Sequence, residues 1–282
     1  MHIQIRGIKL AYDDRGRGHN LIFLHGYPFN RTMWYDQIEF FSTRGFHCIA
    51  PDLRGLGESS GKPQFAEGSE SPPRQAEARR PVTSMEEMAQ DVAALMDELK
   101  IVRGTICGLS MGSYVALEFI RQFGSRADVL ILAGARAQAA DENEKRTREQ
   151  QAGQVLKDGM APVASVMLPK SFASRTVAEN PDLVARVREM ILQTDPGGAA
   201  AAQRGMASRR DHSSFLAAIK IPTLVIAGAE DSIRSPEDAE FIHQHAPGSR
   251  LETIKEAGHL MNMEQPNVFN NVMLDFMRAT TD

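Results

Sequence analysis

Along the chain, short runs of consecutive apolar residues alternate with longer stretches in which apolar residues return every three or four positions. Runs such as Leu21-Ile22-Phe23-Leu24 and Leu224-Val225-Ile226-Ala227 are apolar at successive positions, the pattern of a strand buried on both faces. A half-exposed strand would alternate. Six segments, at 21–25, 46–50, 104–108, 129–133, 223–228 and 251–255, are candidate core strands, and 3–5 with 8–12 predict an opening pair joined by Arg6-Gly7. Between them Met85, Met88, Val92, Leu95 and Leu99 recur at helical steps, with Ser84 placed as the N-cap and Glu87 three residues later. The stretch 266–277 reads likewise, opened by Pro266 and carrying Val268, Val272 and Phe276 on one face. Strands and helices alternating at these lengths predict an α/β domain, a mostly parallel eight-stranded sheet with helices on both faces.

Two segments break the rhythm. Residues 61–81 hold Pro63, Pro72, Pro73 and Pro81 among Glu, Gln, Arg, Ser and Ala, with no apolar period, and are expected to form a long loop. Residues 134–212 carry helical patterns with no core strand between them. Leu156, Met160, Val163, Val166 and Met167 make one apolar patch, and Leu183, Val184, Val187 and Ile191 another. The expected organisation is a core of 1–133 and 213–282, a helical insertion at 134–212, and the proline-rich loop at 61–81 within the core. A chain of 282 residues is near the upper size for one hydrophobic core, which suits one domain with a large insertion as well as two domains.

Composition narrows the function classes. Hydrophobic residues make up 42% and charged residues 24%, ordinary values for a soluble globular protein. The net charge is −4 and no basic stripe stands out. The pairs Arg79-Arg80 and Arg209-Arg210 read as solvated surface, which argues against a nucleic-acid binder. No apolar run approaches the roughly 18 residues of a membrane span, and Met1-His2-Ile3-Gln4-Ile5-Arg6 alternates like a strand instead of forming a signal peptide's apolar stretch. Cys48 and Cys107 both fall in buried-strand patterns and are expected as free thiols, which suits a reducing compartment. The expectation is a cytoplasmic protein with a small-molecule partner and neither membrane nor nucleic acid.

The central chemical signal is Gly108-Leu109-Ser110-Met111-Gly112, set between an apolar strand and a helical pattern (Tyr114, Ala116, Leu117, Ile120). A serine in a strained turn needs small neighbours, which the two glycines supply. The helix that starts behind it aims backbone N–H groups at developing negative charge. Strand, turn and helix are the context a G-x-S-x-G nucleophile elbow requires; the alternative is an ordinary glycine-bounded turn. A serine hydroxyl is a poor nucleophile at neutral pH, so it needs a general base and a carboxylate to orient that base. Ala229-Glu230-Asp231 follows the run 223–228, and Glu256-Ala257-Gly258-His259 follows 251–255. Parallel strands bring such loops to one sheet edge, and the order Ser110, Asp231, His259 is the one this context calls for. Asp231 is preferred over its neighbour Glu230. An oxyanion needs N–H donors, each worth about 3–4 kcal/mol of barrier stabilisation. Met111 N–H is expected as one and Tyr27 N–H, in His25-Gly26-Tyr27-Pro28, as the other, with His25 shaping the loop.

Together these residues resemble the α/β-hydrolase superfamily. Beyond the elbow, His25-Gly26-Tyr27-Pro28, Pro51-Asp52-Leu53-Arg54-Gly55-Leu56-Gly57-Glu58-Ser59 and Gly258-His259 are similar to its H-G-x-P, D-x-R-G-x-G-x-S and G-H motifs. Within it, Trp34 and Gly205-Met206-Ala207 resemble carboxylesterases and the 3-oxoadipate enol-lactonase-like group. The resemblance implies an α/β-hydrolase fold with 134–212 as a helical cap. It also implies a serine hydrolase of small carboxylic esters or lactones that forms an acyl-enzyme on Ser110 and needs no metal or organic cofactor. Ser110 stands where haloalkane dehalogenases carry aspartate. Carbon–carbon bond hydrolysis and cofactor-free perhydrolysis use the same triad and stay open; a non-catalytic ligand receptor is disfavoured by the complete triad. By motif position Trp34, Leu260 and Met261 are expected to offer substrate an apolar wall, with a place in the core as the alternative for Trp34 and Met261. No oligomeric state follows from the sequence.

Overall fold

The computed structural model describes residues 1–61 and 81–281, so the expected proline-rich loop lies, apart from its end residues, outside the described residues. Eight strands form one sheet: β1 (His2–Ile5), β2 (Ile8–Gly16), β3 (His19–Leu24), β4 (Phe46–Pro51), β5 (Gly104–Leu109), β6 (Ala127–Ala133), β7 (Thr223–Gly228) and β8 (Arg250–Ile254). Their order across the sheet is β1-β2-β4-β3-β5-β6-β7-β8. The pairs β1·β2 and β2·β4 are antiparallel and all others parallel. Every residue of β5 and β7 is buried, as their unbroken apolar runs require.

The strand β2 runs four residues past its expected end. Asp13, Asp14 and Arg15 pair with Ala50, Ile49 and Cys48 of β4, and His47 Nε2 lies 2.8 Å from Asp14 Oδ1. Ladder hydrogen bonds and this polar pair hold a segment whose composition hid it. The strand β3 ends at Leu24, one residue short of His25, because the imidazole turns back onto its own loop. Its Nδ1 bonds the Gly26 carbonyl at 2.9 Å and its Nε2 accepts the Leu53 N–H at 2.8 Å. Burial lowers the His25 pKa, so the neutral ring serves as a bracket between two loops.

Helices α1 (Tyr35–Ser42), α2 (Met85–Glu98) and α3 (Met111–Phe123) are joined by five helices between β6 and β7: α4 (Glu142–Asp158), α5 (Ala161–Ser171), α6 (Ser174–Glu179), α7 (Pro181–Leu192) and α8 (Pro196–Ala207). Then follow α9 (Pro236–His245), the short α10 (Met261–Glu264) and α11 (Pro266–Thr281). Ser84 caps α2 by accepting the Glu87 N–H at 3.1 Å. In the insertion, Leu183, Val187 and Ile191 are buried, but Leu156 and Val166 are exposed, so the first apolar patch is only partly used for packing.

The segment after β4 is framework. Asp52 accepts N–H bonds from Arg31 (2.7 Å) and Glu58 (2.8 Å) and pairs with the Arg31 guanidinium. Gly57 sits at φ +56°, and a Cβ there would fall 2.3 Å from the Asp52 carboxylate. Arg54 binds Asp91 of α2 through two bonds of 2.7 and 2.6 Å, and both side chains are buried. Cys48 and Cys107 are free and buried, and burial pushes the Cys48 thiol up to about 12. Among the described residues, no helix is long and apolar enough to cross a membrane.

The strand order changes direction at β3 and β5: after β4 the chain returns past β3 and lays β5 on its other side. Loops leaving the carboxyl ends of such strands open a crevice where ligands bind in open α/β sheets.

Candidate active site

Ser110 occupies the turn from β5 into α3 with φ +56° and ψ −114°, a strained conformation for a residue with a side chain. The surroundings hold it there. Its N–H bonds the Ala133 carbonyl at 2.9 Å, and Ser113 Oγ donates to the Gly108 carbonyl at 2.7 Å. The flanking glycines are set by close approach: a Cβ on Gly108 would lie 2.2 Å from Gly112 O, and one on Gly112 2.0 Å from Leu24 O. The loop after β3 touches this turn, since a Cβ on Gly26 would meet Leu109 O at 3.3 Å and Ser110 Cβ at 3.4 Å. Among the described residues, neither the Tyr27 nor the Met111 backbone N–H has a protein acceptor.

Asp231, just after β7, and His259, in the loop after β8, meet with Oδ2 to Nδ1 at 2.7 Å, both buried. Asp231 Oδ1 accepts the Ile233 and Arg234 N–H groups at 2.8 Å each, which fixes the carboxylate. A carboxylate can only accept, so Nδ1 carries the proton and Nε2 is left as the acceptor of the ring. Glu230, the competing carboxylate, is exposed and accepts the Ser174 N–H at 3.2 Å.

Two supports of this pair have no signal in the sequence. Gly134, at φ +51° after β6, packs on both partners: a Cβ there would lie 3.1 Å from His259 Cε1, 3.2 Å from Nδ1 and 3.4 Å from Asp231 Oδ2. Glu264, at the end of α10, accepts the Gly258 N–H (2.7 Å), the Ala173 N–H (2.8 Å) and Thr176 Oγ1 (2.7 Å), tying the histidine loop to the start of α6. Burial raises the pKa of the Glu264 carboxyl, against these hydrogen bonds.

Ser110 and His259 line one cavity of about 530 Å³, roofed by residues of α4, α5 and α8. Val163, Val166, Met167, Met206 and Ile233 give it an apolar side, and Arg136, Arg148 and Arg234 a basic one. Trp34, Leu260 and Met261 do not line it, a departure from the expected apolar wall. All three are fully buried, and Trp34 packs its ring 4.9 Å from Phe23 and 6.2 Å from Phe269, because the loop carrying it folds inward over β3. The apolar wall comes instead largely from the insertion.

Tyr27 reaches the cavity through its side chain as well. Its hydroxyl is buried and, among the described residues, makes no hydrogen bond within the distance and angle limits of one. Burial pushes the phenol up to about 12, against the nearby Gln203 and Arg148, so it stays a donor. Burial alone would raise the Glu144 carboxyl, but hydrogen bonds and charge from Arg209 and Arg148 outweigh it and bring it down to about 2. Arg209, expected as solvated surface, is buried. It bonds both Glu144 oxygens at 2.9 Å and lies 4.8 Å from the Tyr114 ring centre, while Arg210 stays half exposed. The glutamate on α4 and the aromatic ring on α3 compensate a charge that the sequence pair alone leaves unpaired.

Comparison with known proteins places these observations. The family model described as alpha/beta hydrolase fold matches residues 20–266. A 3-oxoadipate enol-lactonase from Acinetobacter baylyi is 30% identical over 260 residues, covering 92% of this chain and 88% of the relative. The structure of a thermophilic esterase from Thermogutta terrifontis superposes with a TM-score of 0.90 at 34% identity, covering 99% of both chains. The enol-lactonase structure from Burkholderia xenovorans, at 24% identity and a TM-score of 0.86 over 99% of this chain and 100% of the other, shares the fold.

Proposed function

The chain belongs to the α/β-hydrolase fold family, and from that premise we propose that it is a serine hydrolase of small carboxylic esters or lactones. The reading is carried by one arrangement: a buried His259–Asp231 pair at 2.7 Å opening on the same cavity as the strained Ser110. An enol-lactonase and an esterase among its relatives support the substrate class.

In this reading His259 Nε2 takes the proton of Ser110 Oγ as the oxygen attacks the carbonyl carbon. Asp231 holds the ring and stabilises its positive charge. The N–H groups of Met111 and Tyr27 receive the oxyanion, each contributing about 3–4 kcal/mol. Collapse of the tetrahedral intermediate expels the alkoxide, which His259 protonates, and leaves an acyl-enzyme. A water deprotonated by His259 then hydrolyses it. In a lactone the expelled oxygen stays tethered to the acyl group. The helices of 134–212 act as the cap that limits what reaches the hydroxyl, and the two free thiols fit a cytoplasmic setting.

The test is hydrolysis of p-nitrophenyl butyrate and of a five-membered enol-lactone by the purified protein, with Ser110→Ala beside it. Turnover by the parent and loss of it in the variant are expected, with an unchanged circular dichroism spectrum. Absence of turnover on both substrates, or turnover that survives in Ser110→Ala, would overturn the proposal.

A further inference from the structure

The helical insertion touches the acid–base pair as well as the cavity. The corner between α5 and α6, residues 170–176, meets both loops that carry the pair. On the aspartate side, Ser232 Oγ donates to the Lys170 carbonyl at 3.1 Å and the Ser174 N–H to Glu230 at 3.2 Å. On the histidine side, the Leu260 N–H donates to the Ser171 carbonyl at 3.1 Å. Gly258 fits so closely that a Cβ there would fall 2.6 Å from Phe172 C and 2.7 Å from Ala173 N. Ser171, Phe172, Ala173 and Thr176 are all buried.

Glu264 closes this contact. Its Oε1 accepts the Gly258 N–H, next to the base, at 2.7 Å, and its Oε2 accepts the Ala173 N–H at 2.8 Å and Thr176 Oγ1 at 2.7 Å. A backbone N–H can only donate, so the two ends of the link each require an acceptor oxygen. A carboxylate has two; an amide has one. Glu264 and residues 171–176 do not line the cavity, whereas Val163, Val166, Met167 and Lys170 of α5 do. The wall that faces the cavity and the corner that holds the histidine loop therefore belong to one helix. Asp231 sets the orientation of the His259 ring, but the place of the ring depends on the backbone that carries it. A misplacement of about 1 Å costs about a hundredfold in rate.

Resting on the hydrolase reading above, we propose that Glu264 is a positioning residue that locks the loop of His259 to the α5–α6 corner, so that the insertion sets the place of the base as well as covering the serine.

The test follows phosphonylation of Ser110 by a p-nitrophenyl alkylphosphonate in the parent, Glu264→Gln, His259→Ala and the double variant. Glu264→Gln keeps the shape of the side chain but turns an NH2 group towards one of the two backbone N–H donors. It should slow labelling about tenfold when His259 is present, from a loop displacement of roughly half an ångström. In the His259→Ala background it should change labelling by less than about twofold, since no base remains to misplace. On p-nitrophenyl butyrate the loss should fall on kcat, with KM held within about twofold. Thr176→Val removes one of the bonds to Oε2 and should slow labelling about two- to threefold; if Glu264→Gln does not fold, unchanged labelling in Thr176→Val would overturn the proposal. Independently of reactivity, the His259 Nδ1 proton bonded to Asp231 should give a far-downfield proton resonance that shifts or broadens in Glu264→Gln. Equal slowing with and without His259 would overturn the proposal, because a purely structural role acts in both backgrounds. A resonance that moves in Glu264→Gln, with no labelling of the parent, would uphold the positioning role and remove the hydrolase reading. A labelled parent with rate and resonance unmoved in Glu264→Gln would do the reverse.

Discussion

Gly134→Ala adds one methyl group beside the histidine–aspartate pair. The new Cβ would stand 3.1 Å from His259 Cε1 and 3.2 Å from Nδ1, against 3.4 Å or more for ordinary contact, so the ring must yield by 0.2–0.3 Å or tilt. The backbone there has φ +51°, which costs alanine about 1–2 kcal/mol relative to glycine. Reduced freedom of the unfolded chain returns about 0.4–1 kcal/mol of that, leaving a net loss near 1 kcal/mol and about 2–4 °C in Tm. If a 1 Å misplacement costs about a hundredfold in rate, a few tenths of an ångström at the base should lower kcat about three- to tenfold. Gly45→Ala is the matched control: φ is +85° and nothing lies within 4 Å of its Cβ, so it carries backbone strain without touching the site. Thermal unfolding and ester kinetics on both variants separate the two terms. Unchanged kcat in Gly134→Ala, or an equal drop in Gly45→Ala, would refute the reasoning.

Two further outcomes follow from the framework and the basic cluster. Asp91→Ala removes both bonds that Asp91 makes to the buried Arg54, leaving it among the described residues with Glu87 at 3.5 Å, and should cost about 3 kcal/mol in urea unfolding; a loss under about 1 kcal/mol would mean the pair is not structural. The Glu144 carboxyl sits at about 2 in the folded protein against an ordinary 4.5, so the unfolded chain takes up this proton first. Its contribution is present above pH 4.5 and fades as pH falls towards 2. It is worth about 1–2 kcal/mol after solvent screening of a half-buried group. Unfolding free energy should therefore fall less steeply over that window in Glu144→Gln, and identical slopes would contradict the assignment.

The fold was legible because its strongest signals are local. Short strand segments and helical periods are properties of contiguous residues, and β7 runs over the very residues its apolar run marks out. Ser110, Asp231 and His259 could be chosen together because each follows a strand, and parallel strands deliver their ends to one edge. What stayed hidden depends on distant residues. Gly134 resembles any glycine after a strand until His259, 125 positions later, is packed against it. Arg136, Arg148, Arg209 and Arg234 look like surface charge in sequence and converge only when the insertion folds over the sheet. Trp34 went the other way: motif position placed it near the nucleophile, while packing against Phe23 and Phe269 takes it into the core. The polar end of β2 escaped notice because ladder bonding does not require apolar residues.

The claim on which the account turns is that Ser110 is an activated nucleophile. Incubation with a p-nitrophenyl alkylphosphonate, followed by intact mass measurement and peptide mapping, tests it without assuming a substrate. A single adduct on Ser110 is expected, absent in Ser110→Ala and formed far more slowly in His259→Ala. No adduct on the folded protein, or an adduct on a different serine, would contradict it.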